Sequence, residues 1–124
     1  MGLSPRRSEL YAVFPYRLFA VGKPGLDIGL ATWHVRRVKD TGGWRQDAIQ
    51  AALLGLTEEA KRDVVKNFST SHPGSRFPAF WGPNFDWVPD QDHGSAACMA
   101  LQYMLMQCDE GQGPERDRPV SCWL

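Results

Sequence analysis

Apolar residues recur at helical spacing in four places along the chain. From Leu26, just past the chain-breaking Pro24-Gly25, the residues Leu26, Leu30, Trp33 and Val38 share much of one face of a helix running to Val38. Arg36, Arg37 and Lys39 fall near its C-terminal end, where cations suit the helix dipole. That helix is expected to stop at Thr41-Gly42-Gly43. A second helix is predicted from about Arg45 to Leu54, with Ile49, Ala52, Leu53 and Leu56 at i, i+3, i+4 and i+7. Gly55 can close it, and Thr57 is placed to cap a third helix whose first turn carries Glu58 and Glu59. The third helix buries Ala60, Val64 and Phe68, and Lys61, Arg62, Asp63 and Lys66 lie on its other sides. So short a connection makes the second and third helices antiparallel neighbours.

The fourth helix, about Ser95 to Gln107, has a different pattern. Ala96, Ala97, Met99, Ala100, Leu101, Tyr103, Met104, Leu105 and Met106 leave almost no polar face, which predicts burial on all sides. Three other short helices can hardly surround it, so it belongs to a larger assembly or a larger domain. Ahead of it, Ser69 to His93 reads as irregular, because prolines at 73, 78, 83 and 89 exclude both helix and central strand. A loop of this length inside a compact domain is usually functional. Here Phe77, Phe80, Trp81, Phe85 and Trp87 make it a stiff, packed loop. The fold class expected from the pattern is all-α, with a long irregular aromatic loop.

Composition narrows the function. The 124 residues carry 14 Lys and Arg against 14 Asp and Glu, which excludes strong electrostatic capture of nucleic acid or of an anionic membrane. No stretch approaches the roughly 20 apolar residues of a membrane helix, and Met1 to Glu9 lacks the apolar core of a signal peptide. The chain as written therefore reads as soluble and unexported, and its compartment stays unassigned. Cys98, Cys108 and Cys122 make no disulfide framework and no zinc motif, and Cys98 is expected as a small buried thiol of the fourth helix. Charge is uneven: residues 1–66 hold an excess of cations, residues 67–124 an excess of carboxylates, and no Lys or Arg lies between Phe77 and Pro114.

Asp86, Asp90, Asp92 and His93 are threaded among the aromatic rings of the loop. Rings beside carboxylates suit a carbohydrate, whose C–H face packs on an indole while its hydroxyls donate to the acids. A carboxylate in such surroundings is also desolvated, which raises its pKa toward general acid or base work. The competing assignment makes the rings core filler and the aspartates caps of turns, with Asp92 serving the N-terminus of the fourth helix. Asp90, Asp92 and His93 match no calcium loop, so no metal is expected. His34 on the first helix and His72 before Pro73 read as structural or solvated.

The stretch from Arg76 to Gly94, Arg-Phe-Pro-Ala-Phe-Trp-Gly-Pro-Asn-Phe-Asp-Trp-Val-Pro-Asp-Gln-Asp-His-Gly, followed by Met104-Leu105-Met106-Gln107, resembles the late catalytic domain of large bacterial glycoside-hydrolase-like proteins related to glycoside hydrolase family 95, the alpha-L-fucosidases. Gly43-Trp44 and the helix after it resemble the Gly-Trp helix of the same proteins, and the similarity runs from about Tyr11 to Gln107. The resemblance implies a partial (alpha/alpha)6 toroid over residues 1–108, in which helical hairpins form two rings and the fourth helix belongs to the inner one. It implies inverting hydrolysis of O-glycosidic bonds, without a cofactor, with Asp90 on the base side. Only Asp90 takes its role from the resemblance; the loop's rings and polar residues make Trp81 and Trp87 the expected stacking platforms and Asp86, Asp92 and His93 the expected polar contacts to a sugar. The relatives' Asp-Gly-Asn-Phe-Gly motif appears here as Asp90-Gln91-Asp92-His93-Gly94, matching at its two ends only. Inversion also needs a general acid across the bond, which the resemblance places in an earlier part of the barrel. The chain alone is therefore expected to be inactive, with a missing barrel half as its partner. Residues 109–124 are expected as a disordered polar tail. The alternative is a non-catalytic carbohydrate-binding or helical interaction module.

Overall fold

The computed structural model describes residues 8–41, 45–69, 91–107 and 121–122, with backbone alone at 91–93 and 121–122. Four helices carry the fold: α1 (Leu26–Val35), α2 (Asp47–Leu53), α3 (Thr57–Ser69) and α4 (Gln91–Leu105). A short 3-10 turn at Ser8–Leu10 precedes them. Two short strands, β1 (Met106–Gln107) and β2 (Ser121–Cys122), pair antiparallel, with Met106 opposite Cys122 and Gln107 opposite Ser121. Among the described residues the regular structure is helical apart from this pair.

α2 lies at the centre, and each of its seven residues is buried. Ala48, Ala51 and Ala52 keep its surface small, so α3 and α4 pack directly against it and against each other. The helix closes where the sequence suggests. Gly55, at φ 75°, donates its N–H to Ala52 O at 3.1 Å, and Leu56 N donates to Ala51 O at 2.9 Å. This pair of bonds is the Schellman closure, in which a left-handed glycine satisfies carbonyls that the helix end leaves open. Thr57 does not cap α3 as expected; its hydroxyl donates to Gly55 O at 3.5 Å. Along α3, Ala60 and Val64 are buried and Phe68 packs on the core, as the spacing predicts.

α1 ends three residues earlier than predicted. Arg36 leaves the helix at φ −56°, ψ 144°, after its N–H has closed the last turn on Thr32 O. Trp33 is buried, and Leu26 and Leu30 pack on the core. Gly29 brings α1 close to the end of α2: a Cβ there would stand 2.7 Å from Leu54 Cδ2 and 3.2 Å from the Phe19 Cβ. The segment between the first turn and α1 also wraps α2. Val21 N donates to Leu53 O at 2.9 Å, and the Gln50 amide donates to Leu10 O and Phe14 O, each at 3.4 Å.

α4 starts at Gln91, four residues before the expected position, so Asp92 lies inside the first turn of the helix and not ahead of it. Burial on all sides is not found. Gly94, Ala97 and Ala100 face α2 and α3, whereas Met99, Leu101 and Leu105 point outward with 39, 40 and 47% of their surface exposed. Cys98 is exposed with them, correcting the expected buried thiol. The small residues of α4 meet the small residues of α2, and its large ones are left on the other side. The irregular loop and the tail lie outside the described residues, except for Ser69, 91–93 and the two residues of β2.

Leu53 has no exposed surface, whereas Val65 on α3 is 58% exposed. Leu53→Ala is therefore expected to cost about 2–5 kcal/mol, and Val65→Ala to change stability by no more than about 0.5 kcal/mol. Urea titration followed by circular dichroism reads both values.

Candidate functional site

The residues assigned to sugar chemistry from the sequence fall mostly outside the described part of the chain. Asp90, Asp86, Trp81 and Trp87 lie there, as does His72. Asp92 and His93 are placed by backbone in the first turn of α4. His34 is exposed, in keeping with a solvated residue.

The most developed polar site among the described residues lies elsewhere, between the C-terminal end of α1, the segment 36–41 and α3. Trp33, His34, Arg36, Lys39, Asp40, Thr41, Glu59, Arg62, Asp63 and Lys66 line a cleft of about 420 Å³. Its construction begins with the early end of α1. The extended backbone at Arg36 turns its guanidinium back over the Trp33 indole, with Cζ 3.4 Å from the ring centroid, and Nη1 donates to Trp33 O. A cation over a desolvated indole contributes on the order of 2 kcal/mol. Arg36 is thus held flat against the core, its side chain only 6% exposed, with Nε 3.9 Å from an Asp47 carboxylate oxygen. The opposite wall is α3. Thr41 and Asn67, both buried, tie the two walls together: the Asn67 amide donates to Thr41 Oγ1 at 3.3 Å.

Asp63 is the most unusual group in the cleft. Its side chain is 4% exposed, its Oδ1 accepts from Arg62 Nε at 3.3 Å, and its Oδ2 has no hydrogen-bond partner. Burial pushes the Asp63 carboxyl above its ordinary value of 3.8, against the opposing pull of Arg62 and then Arg36. Burial likewise lowers Arg36, against the attraction of Asp47 and Asp63. A buried acid with a raised pKa beside cations in a cleft is a physical marker of a functional site, although ion-pair networks produce it too. The arrangement can accept a hydrogen bond at Asp63 and donate several from Arg36, Arg62 and Lys39. It offers no nucleophile paired with a base.

The sequence pattern sets Asp63 away from the Ala60, Val64 and Phe68 face of α3 and makes Arg36 a helix-end cation. A stricter count of α3 would have flagged both Asp63 and Asn67. Ala60, Asp63, Val64, Asn67 and Phe68 sit at i, i+3, i+4, i+7 and i+8, so two polar residues occupy the inward stripe. Nothing comparable announces Arg36, whose burial depends on where α1 stops.

Compared with family models, curated proteins and solved structures, the chain matches none. Among the described residues no group of three or more His, Cys, Asp or Glu is placed to hold a metal ion, and no helix is long and apolar enough to cross a membrane.

The raised pKa of Asp63 has a testable sign. The folded state binds this proton more tightly than the unfolded chain, so the group favours folding when protonated and loses that advantage as pH rises through its folded pKa. Asp63→Asn keeps an oxygen for Arg62 and removes the ionisation. Its melting temperature relative to wild type is expected to rise between about pH 4 and about pH 7. A constant difference across that range, measured by thermal unfolding, would count against a desolvated carboxyl.

Proposed function

We propose that this chain is a section of an (alpha/alpha)6 barrel of glycoside-hydrolase type, carrying the base-side Asp90 and the stacking residues Trp81 and Trp87 of a carbohydrate site. Asp86, Asp92 and His93 are its further polar contacts. The observation that supports this reading is the two-sided character of α4. Its small residues are packed inward and Met99, Leu101 and Leu105 are turned outward, the pattern of a helix built to be covered by additional helices. The α2–α3 pair closed at Gly55 supports the reading as well, since a ring of this kind would be built from helix pairs. The base acts by activating a water opposite the leaving group, and the acid that inversion requires comes from another part of the barrel. The section by itself binds sugar without hydrolysing it.

The outward face of α4 favours one second reading equally, a helical interaction module whose partner covers Leu101 and Leu105. Carbohydrate separates the two. On the barrel reading, a panel of mono- and oligosaccharides includes at least one that changes the tryptophan fluorescence of the purified chain. Trp87→Ala reduces that change with helix content retained, and aryl glycosides are not turned over. If no sugar in the panel changes the fluorescence, the carbohydrate assignment fails and the interaction module stands. Turnover by the chain alone that falls on Asp90→Asn would show a complete site in place of a section.

A further inference from the structure

The cleft between the end of α1 and α3 carries an inference separate from the aromatic stretch. We propose that it binds a small hydroxylated anion, a sugar-sized molecule bearing hydroxyl groups and one carboxylate or phosphate. Three observations converge on this class. At about 420 Å³ the cleft lies within the size range of small-ligand sites. Two charged side chains that line it are more than nine-tenths buried, Arg36 and Asp63. Asp63 keeps an oxygen, Oδ2, without a hydrogen-bond partner; the Arg36 Nε also lacks one but lies 3.9 Å from Asp47, which is not part of the cleft lining. Leaving a buried polar atom unsatisfied is costly, and a bound polar group is one way to satisfy it.

The donors and acceptors select the ligand. Asp63 Oδ2 needs a donor, which a hydroxyl supplies. Four cations line the cleft, Arg36, Lys39, Arg62 and Lys66, beside three carboxylates, Asp40, Glu59 and Asp63; Arg36 is held near Asp47 and Arg62 is bonded to Asp63, while Lys39 stands exposed at the rim. An anionic group therefore meets Lys39 and Arg62 at the exposed rim while hydroxyls reach inward. Arg62 is 63% exposed and bonded to the other Asp63 oxygen, so it lies at the rim beside the acid. A neutral sugar held by stacking does not fit, because the Trp33 ring is 3% exposed and already covered by Arg36.

Calorimetry and amide NMR on the full chain test the proposal with four probes: glucuronate, glucose 6-phosphate, glucose and inorganic phosphate. One or both of the sugar anions are expected to bind and to shift amides of residues 36–41 and 59–66. Which of the two binds tells carboxylate from phosphate as the anionic group. Glucose and inorganic phosphate are each expected to bind about tenfold more weakly or worse, since each lacks half of the required chemistry. Lys39→Ala, at an exposed position, and Asp63→Asn should each weaken the sugar anion several-fold with circular dichroism unchanged. Trp81→Ala should leave it unaffected, which keeps this outcome distinct from that of the barrel reading. No binding by either sugar anion overturns the proposal. So does phosphate binding as tightly as glucose 6-phosphate, or sugar-anion binding indifferent to both Lys39→Ala and Asp63→Asn.

Discussion

The fold depends on the complete burial of one short helix. α2 has seven residues, too few to be stable in water on its own. It exists because the rest of the chain encloses it. α3 and α4 pack along it, Gly29 lets α1 approach its C-terminal end, and the segment after the first turn is hydrogen-bonded to it at Gln50 and Leu53. Gln107 in β1 adds a further tie, donating to Ala52 O at 2.7 Å. Three alanines make this possible, since small side chains let backbones approach from several directions without leaving voids.

A helix enclosed in this way divides the surface around it. Toward α1 and α3 the enclosure is finished with polar groups: the Arg36–Trp33 stack, the Thr41–Asn67 bond and the inward-facing Asp63. Buried charges are expensive unless paired, and here Arg36 is near Asp47 and Asp63 is bonded to Arg62. Toward α4 the enclosure uses Ala97 and Ala100, and the bulky residues of that helix are left facing outward. One side of the molecule is thus a polar cleft, and the other an apolar helix face.

Much of this was legible in the sequence, and the misses share a cause. The 3.6-residue period placed α2 and α3 within two residues, and Gly55 marked the closure between them because only a left-handed glycine fits there. The end of α1 was not legible, since Val38 extends the apolar pattern while the actual stop is set by tertiary packing of Arg36 on Trp33. The α4 pattern predicts burial on all sides within something larger than these four helices, and it does not say which face meets α2, because large and small residues count alike in it. In the structure the small ones make the contact and Cys98, Leu101 and Leu105 do not. Asp63 was hidden by its type: an acid reads as solvated until its position on the stripe with Ala60 and Val64 is noticed. Of the residues 76–94 that carry the sugar-site expectation, only the last four belong to a described element.

The enclosure of α2 is what holds both candidate surfaces in place, and hydrogen exchange measures it directly. Amides closed within one cooperative core exchange only when the whole fold opens. The hydrogen-bonded amides at Gln50 and Leu54 are therefore predicted to exchange most slowly in the chain, with an opening free energy equal to that of global unfolding. If they exchange faster than those in the middle of α3, or open at a free energy well below global unfolding, α2 is not the centre on which the fold depends.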